Sequence, residues 1–229
     1  REVVVTQRVV FVSATNEIGG ADTSLFELVR GLDRTRFDVH VVLPHDGGFA
    51  ERYRALSVPV HVVPIHKLKA TVDPRWQLAW LGRAPLRVLR LWRLFARLRP
   101  DVVHVNSSVD VLAGLAARLH AIRKRCRLVW HVRELRCGPE FVGRAVRGVV
   151  RRLADTVVAI STPIAGRFAQ DQRVYVIPNG VDVARFRAAC PANADATADA
   201  GAPTVGWVGR IAPNKGLDRV LDAFARVRE

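Results

Sequence analysis

Carboxylates are scarce in this chain. Of 229 residues only 21 are acidic against 36 basic, a formal net charge of +15. Between Asp73 and Asp101 there is none at all. Such a field favours anionic partners: nucleic acid, an acidic membrane surface or a phosphorylated small molecule. Lysine is nearly missing too, since Lys67, Lys69, Lys124 and Lys215 are the only four, and arginine carries the excess. The three cysteines, Cys126, Cys137 and Cys190, show no C-x-x-C spacing, which argues against a disulfide framework or a zinc ribbon and fits a reducing, cytoplasmic compartment. No apolar run approaches the roughly 18 residues of a membrane-spanning helix, so a membrane would be met at its surface. There is no Asp-x-Asp pair to hold a metal. No helix-turn-helix pattern or interleaved aromatic series accompanies the arginines, which puts nucleic acid last among the three partner classes.

What is present is an alternation. Short β-branched runs at 8–14, 37–44, 58–64, 101–106, 127–132, 155–161 and 173–179 are separated by helical patterns near 24–32, 49–56, 76–99, 108–122, 141–153 and 162–170. That rhythm predicts an α/β domain, a Rossmann-like parallel sheet covered by helices on both faces, over 1–187. Ser24 and Glu27 have the spacing of a capping box opening the first helix. Residues 188–203, "AACPANADATADAGAP", are half alanine with no basic residue and read as a linker. Residues 204–229 supply a strand, a turn and an amphipathic helix, a single βα unit that has no second layer to pack on.

In an open parallel sheet, ligands bind beyond the carboxyl ends of the strands. Gly19 and Gly20 fall there after the first strand, Asn106 and Ser107 after the fourth, and the run His131 to Glu134 after the fifth. Glycines before a helix let backbone N–H groups approach a phosphate, although two glycines in a turn are often only a turn. His131 could equally be a hydrogen-bonded strand-end histidine. Arg210 and Lys215, in "GRIAPNKG", flank a turn leading into a helix, a place that suits a diphosphate or a solvated basic turn.

The segments "GGAD", "RPDVVHVNSS", "VWHVRE", "VVAIS", "VIPNGVDVARF" and "VGRIAPNKGLDRVLDAFARV", in this order, resemble the large retaining glycosyltransferase family of GT-B fold known as family 4. The resemblance implies two Rossmann-like domains facing across a cleft, with 204–229 beginning the donor-side domain. It implies a nucleotide-sugar donor whose diphosphate is held by Gly19, Gly20, Arg210 and Lys215. His131 would lie near the transferred sugar as the catalytic residue, and Asn106, Ser107 and Glu134 would contact the acceptor. No metal or other cofactor is implied. Further donor-side residues, among them a pair of glutamates, are expected downstream of Lys215, so the 229 residues alone are expected to be inactive.

The segment "APLRVLRLWRLFARLRP" is a basic amphipathic helix. One reading packs its apolar side on the sheet; the other lays the helix over 83–99 on anionic lipid, placing a lipid-linked or phosphorylated acceptor. One apolar face cannot do both. The leading expectation is therefore a glycosyltransferase, and the alternative is a non-catalytic basic α/β module that binds an anionic membrane or a partner subunit.

Overall fold

A computed structural model describes residues 6–17, 19–65, 68, 74–122, 124–135, 138–168, 171–189, 205–209, 211 and 215–227. The chain divides into two compact units, Arg1–Asp182 and Val183–Glu229. The break falls directly after the "IPNGVD" run, 177–182.

The first unit is built on seven strands, all parallel: β1 (Gln7–Val12), β2 (Phe37–Leu43), β3 (Val60–Val62), β4 (Val102–Val105), β5 (Arg127–Val132), β6 (Thr156–Ala159) and β7 (Val174–Val176), in the order β3-β2-β1-β4-β5-β6-β7. Each stands where the sequence predicts a strand. Val9 pairs with Val39 on one side and Val102 on the other, so β1 is central. Because a strand's side chains alternate between faces, β1 serves two cores at once. Val10 and Val12 join one with Val103, Val105, Leu128 and Trp130, while Val9 and Phe11 join a second with Val39, Val41 and Leu43.

The helices follow from the handedness of parallel crossovers. Moving outward from β1 to β3, α1 (Gly20–Arg30) and α2 (Phe49–Ala55) lie on one face, where Leu25, Val29, Phe49 and Tyr53 are buried. Moving the other way, α3 (Pro74–Leu98), α4 (Val111–Ala121), α5 (Glu140–Leu153) and the short α6 (Thr162–Ala165) supply the opposite core. A 3-10 turn, Gly166–Phe168, completes the last of these, where the sequence suggests one continuous helix to 170; residues 169–170 lie outside the described ones. Leu91 and Phe95 of α3 are fully buried, each contributing roughly 1.5–3 kcal/mol of transfer free energy.

Trp130 shows how tightly this core is filled. Its ring is fully buried, its indole N–H donates to the Ser107 carbonyl at 2.8 Å, and a Cβ added at Gly114 of α4 would stand 2.2 Å from the ring. Only a residue without a side chain fits there.

Two expectations need correction. The first helix begins at Gly20, four residues before Ser24, with Gly19 as an extended N-cap, so Ser24 lies inside it and forms no capping box. The cause is Asp22, whose buried carboxylate in the first turn accepts from Ser13 Oγ at 3.0 Å, Thr15 Oγ1 at 2.9 Å and the Glu17 N–H at 3.3 Å, anchoring the helix start to the end of β1. In the second unit, residues 205–208 form no strand, and Val205 and Val208 are exposed. A lone βα unit offers an apolar strand no neighbour to pair with. That unit contains α7 (Val183–Ala189), which the sequence reading does not anticipate, and α8 (Leu217–Val227), opened by Gly216 at φ +67°. Of the predicted linker, 190–203 lies outside the described residues.

Candidate active site

Strand order changes direction between β1 and β4, the place in an open parallel sheet where ligands bind beyond the carboxyl edge. Gly19 and Gly20 open α1 on one side of it. A Cβ at either would meet nothing within 4 Å, so the backbone there is open to a ligand. The helix dipole at this point already faces a buried anion, Asp22, which opposes a second negative charge unless cations accompany it.

The other side is a network of polar side chains from four segments. Glu134, just past β5, accepts from Ser107 Oγ at 2.5 Å, Ser108 Oγ at 2.7 Å, the Ser108 N–H at 3.1 Å and the Arg133 N–H at 3.3 Å. The structure therefore joins Ser107 and Glu134 directly. With four donors, this carboxylate ties the ends of β4 and β5 together. Asn106 is buried; its amide donates to the Ala21 carbonyl at 3.3 Å and its oxygen accepts from Arg133 Nε at 3.0 Å. On the same loop, Asp110 accepts from the Ala14 N–H at 3.0 Å and so pins the β1 loop.

Arg133 is the hub, and it is the residue the sequence reading passed over. Its Nη1 donates to Ser24 Oγ at 3.0 Å and Asn179 Oδ1 at 2.7 Å, its Nη2 lies 3.4 Å from His131 Nδ1, and Ser24 Oγ in turn donates to Asn179 at 2.9 Å. One guanidinium thus gathers α1, β4, β5 and the "IPNGVD" run. The available signal was a cation directly after a strand, inside the quoted "VWHVRE". What it touches depends on strand order.

His131 sits on the sheet, 6% exposed, with its side chain on the face that carries α1. Its Nδ1 lies 3.3 Å from His104 Nε2 on the neighbouring strand. Burial, and then the Arg133 charge, lower its pKa from the ordinary 6.5 to about 3. His104 is likewise lowered to about 3, by burial and then by His131 and Arg133. Both rings are neutral near pH 7. Since Arg133 has only donors to offer, His131 Nδ1 accepts and the ring proton is on Nε2, which has no hydrogen-bond partner among the described residues. The two histidines floor a pocket of about 600 Å³ between α1 and residues 177–182, bounded also by Val129, Val158 and Ile177. Chemically, His131 is a neutral N–H donor here and not a protonated acid.

Arg210 lies outside the described residues, and Lys215, exposed before α8, belongs to the second unit. Among the described residues no group of three or more His, Cys, Asp or Glu is placed to hold a metal.

The family model for Glycosyltransferase Family 4 matches residues 18–185. The chain belongs to that family. Over 91% of its length it is 30% identical to a GDP-mannose-dependent alpha-mannosyltransferase of Mycobacterium tuberculosis, of which it spans 57%. Among solved structures, Anabaena HepE in complex with UDP and glucose superimposes with a TM-score of 0.58 at 21% identity, covering 77% of this chain and 45% of that one. A glycosyltransferase from Rickettsia africae gives 0.54 at 13% identity, covering 96% and 50%. At these identities the likeness shows the fold, the Rossmann-like parallel sheet expected from the alternation of runs.

Proposed function

We propose that this family 4 chain is the acceptor-side part of a retaining glycosyltransferase that moves a sugar from a nucleotide-sugar donor, such as GDP-mannose, to a lipid-linked or phosphorylated acceptor. The observation that carries this reading is the pairing, at the switch between β1 and β4, of an open helix start at Gly19–Gly20 with the Arg133 guanidinium, which reaches Ser24 on the same helix. Backbone N–H groups and a fixed cation are what a donor diphosphate requires as charge builds on the leaving group. Arg210 and Lys215 are assigned to the same diphosphate. The chemistry assigned to the chain needs no metal or other cofactor, because these cations neutralise the phosphates.

His131 is the residue assigned to the transferred sugar, while Asn106, Ser107 and Glu134 shape the acceptor side. Retention of configuration is carried over from the family. The arginine-rich helix α3 brings the protein to the cytoplasmic membrane surface, where a lipid-linked acceptor resides. A sugar nucleotide must be gripped from two sides held in register. The chain spans 57% of its mannosyltransferase relative, so transfer by these 229 residues alone is expected to be negligible.

The test is product analysis by mass spectrometry and NMR with the native polypeptide, GDP-mannose or UDP-glucose, and lipid extract as acceptor source. A glycosylated lipid with the donor's anomeric configuration is expected. Arg133→Ala is expected to lower kcat/KM by 10²-fold or more, the order seen on removing one charge-stabilising donor. Donor binding with no turnover on any acceptor would instead identify a non-catalytic binding module.

A further inference from the structure

Helix α3 has a second apolar face that the sequence reading did not separate from the first. Its buried side, Val88, Leu91, Leu94 and Phe95, belongs to the core, and among the described residues α3 packs chiefly against α4. On the opposite side Leu78, Leu81, Leu86 and Leu89 are 70%, 58%, 49% and 37% exposed. At 100° per residue these four and the exposed Pro85 fall within an arc of about 140°. Trp92, half-buried, continues the stripe toward the carboxyl end. Arg83, Arg90, Arg93 and Arg97, all exposed, run along one flank, and none forms an ion pair among the described residues. No acidic residue occurs anywhere in the helix.

We infer that the outward leucine stripe of α3 inserts into the headgroup and upper acyl region of an anionic bilayer while the four arginines engage its lipid phosphates. This rests on the surface association proposed above and changes its nature, from charge attraction alone to shallow insertion. Charge complementarity selects the occupant. A second copy of the chain would set one arginine row against another, and like charges across an interface oppose association. Nucleic acid would leave the leucines against phosphodiesters. A helix lying in the interface plane buries an apolar face roughly 5–10 Å deep with its cationic residues at headgroup level. Each arginine near an anionic surface adds roughly fivefold in partitioning. Because the core takes the other side of α3, insertion requires no unfolding of the domain.

The test uses the 229-residue chain, sedimented with vesicles of equimolar phosphatidylglycerol and phosphatidylcholine or of phosphatidylcholine alone. Binding to the anionic vesicles is expected, with little to the neutral ones. Replacing Leu78, Leu81 and Leu89 together by serine is expected to reduce partitioning tenfold or more at unchanged net charge. R83Q/R90Q/R93Q is expected to reduce it at least as far. Brominated lipid is expected to quench Trp92 in the parent and not in the serine variant. Circular dichroism reports folding, and L78S alone, at the most exposed leucine, decides the matter should the triple variant fail to fold. Anionic binding that the serine changes leave intact overturns insertion while leaving surface attraction standing. No binding to anionic vesicles overturns both. A dimer that the same serine changes dissolve also overturns the assignment.

Discussion

Gly114 and Trp130 are a lock of two residues. The indole fills the space where a side chain on α4 would stand, and its N–H holds the Ser107 carbonyl, so the packing of the core sets the loop that carries Ser107 and Ser108. Gly114→Ala should gain about 1 kcal/mol of helix propensity. It must also accommodate a methyl 2.2 Å from a ring that has no free side to move into. Overpacking of this kind costs about 1–3 kcal/mol and should win. Urea denaturation is expected to show a lower midpoint at unchanged m-value, and an unaltered or raised midpoint would mean that the ring has room. Arg133 has a comparable reach at the carboxyl edge. Its contacts to residues 24, 106, 131 and 179 come from four separate segments, which is why no local pattern announced it.

At the scale of elements, α3 ends under strain. Arg99 has φ +52° and donates its N–H to the Phe95 carbonyl at 2.8 Å, the left-handed closure that glycine usually provides, and Pro100 stops the helix there. Arg99→Gly removes the Cβ conflict but adds freedom to the unfolded chain. A net stabilisation of about 0.5–1 kcal/mol is expected, read as a rise in melting temperature. The strands themselves were legible in the sequence, because β-branched runs bounded by turns carry their own signal. The start of α1 was not. Two glycines resemble a loop, and only Ser13 and Thr15, brought back by the end of β1 to bind Asp22, make Gly20 the first helical residue. The two apolar faces of α3 were equally hidden, since periodicity counts leucines without showing which of them α4 covers. Of the candidate site residues, Ser107 and Glu134 do meet. What bonds across those ends was decided by the β1–β4–β5 order and had no signature within any one segment.

For the molecule as a whole, buried histidines set the acid limit. His104 and His131 titrate at about 3 in the fold against 6.5 ordinarily, both chiefly through burial. His61 and His120 are also lowered, by burial first and then by His40 or Lys124 respectively. As pH falls through 6.5 the unfolded chain takes up these protons while the folded chain does not. Stability is therefore fully present above pH 6.5 and declines below it, by up to about 1.4 kcal/mol per pH unit for each ring. Carboxylates act later. Asp171, lowered to about 2 by its Arg173 hydrogen bonds, withdraws stability only as the pH falls below the usual carboxylate range. The window between pH 6.5 and 4.5 thus belongs to the histidines. Urea midpoints measured across it should fall steadily for the parent chain, and less steeply for H104Q/H131Q, whose amides cannot take up a proton. Equal slopes for parent and variant would mean that the two rings take up protons in the sheet as readily as in the unfolded chain, and that burial does not lower them.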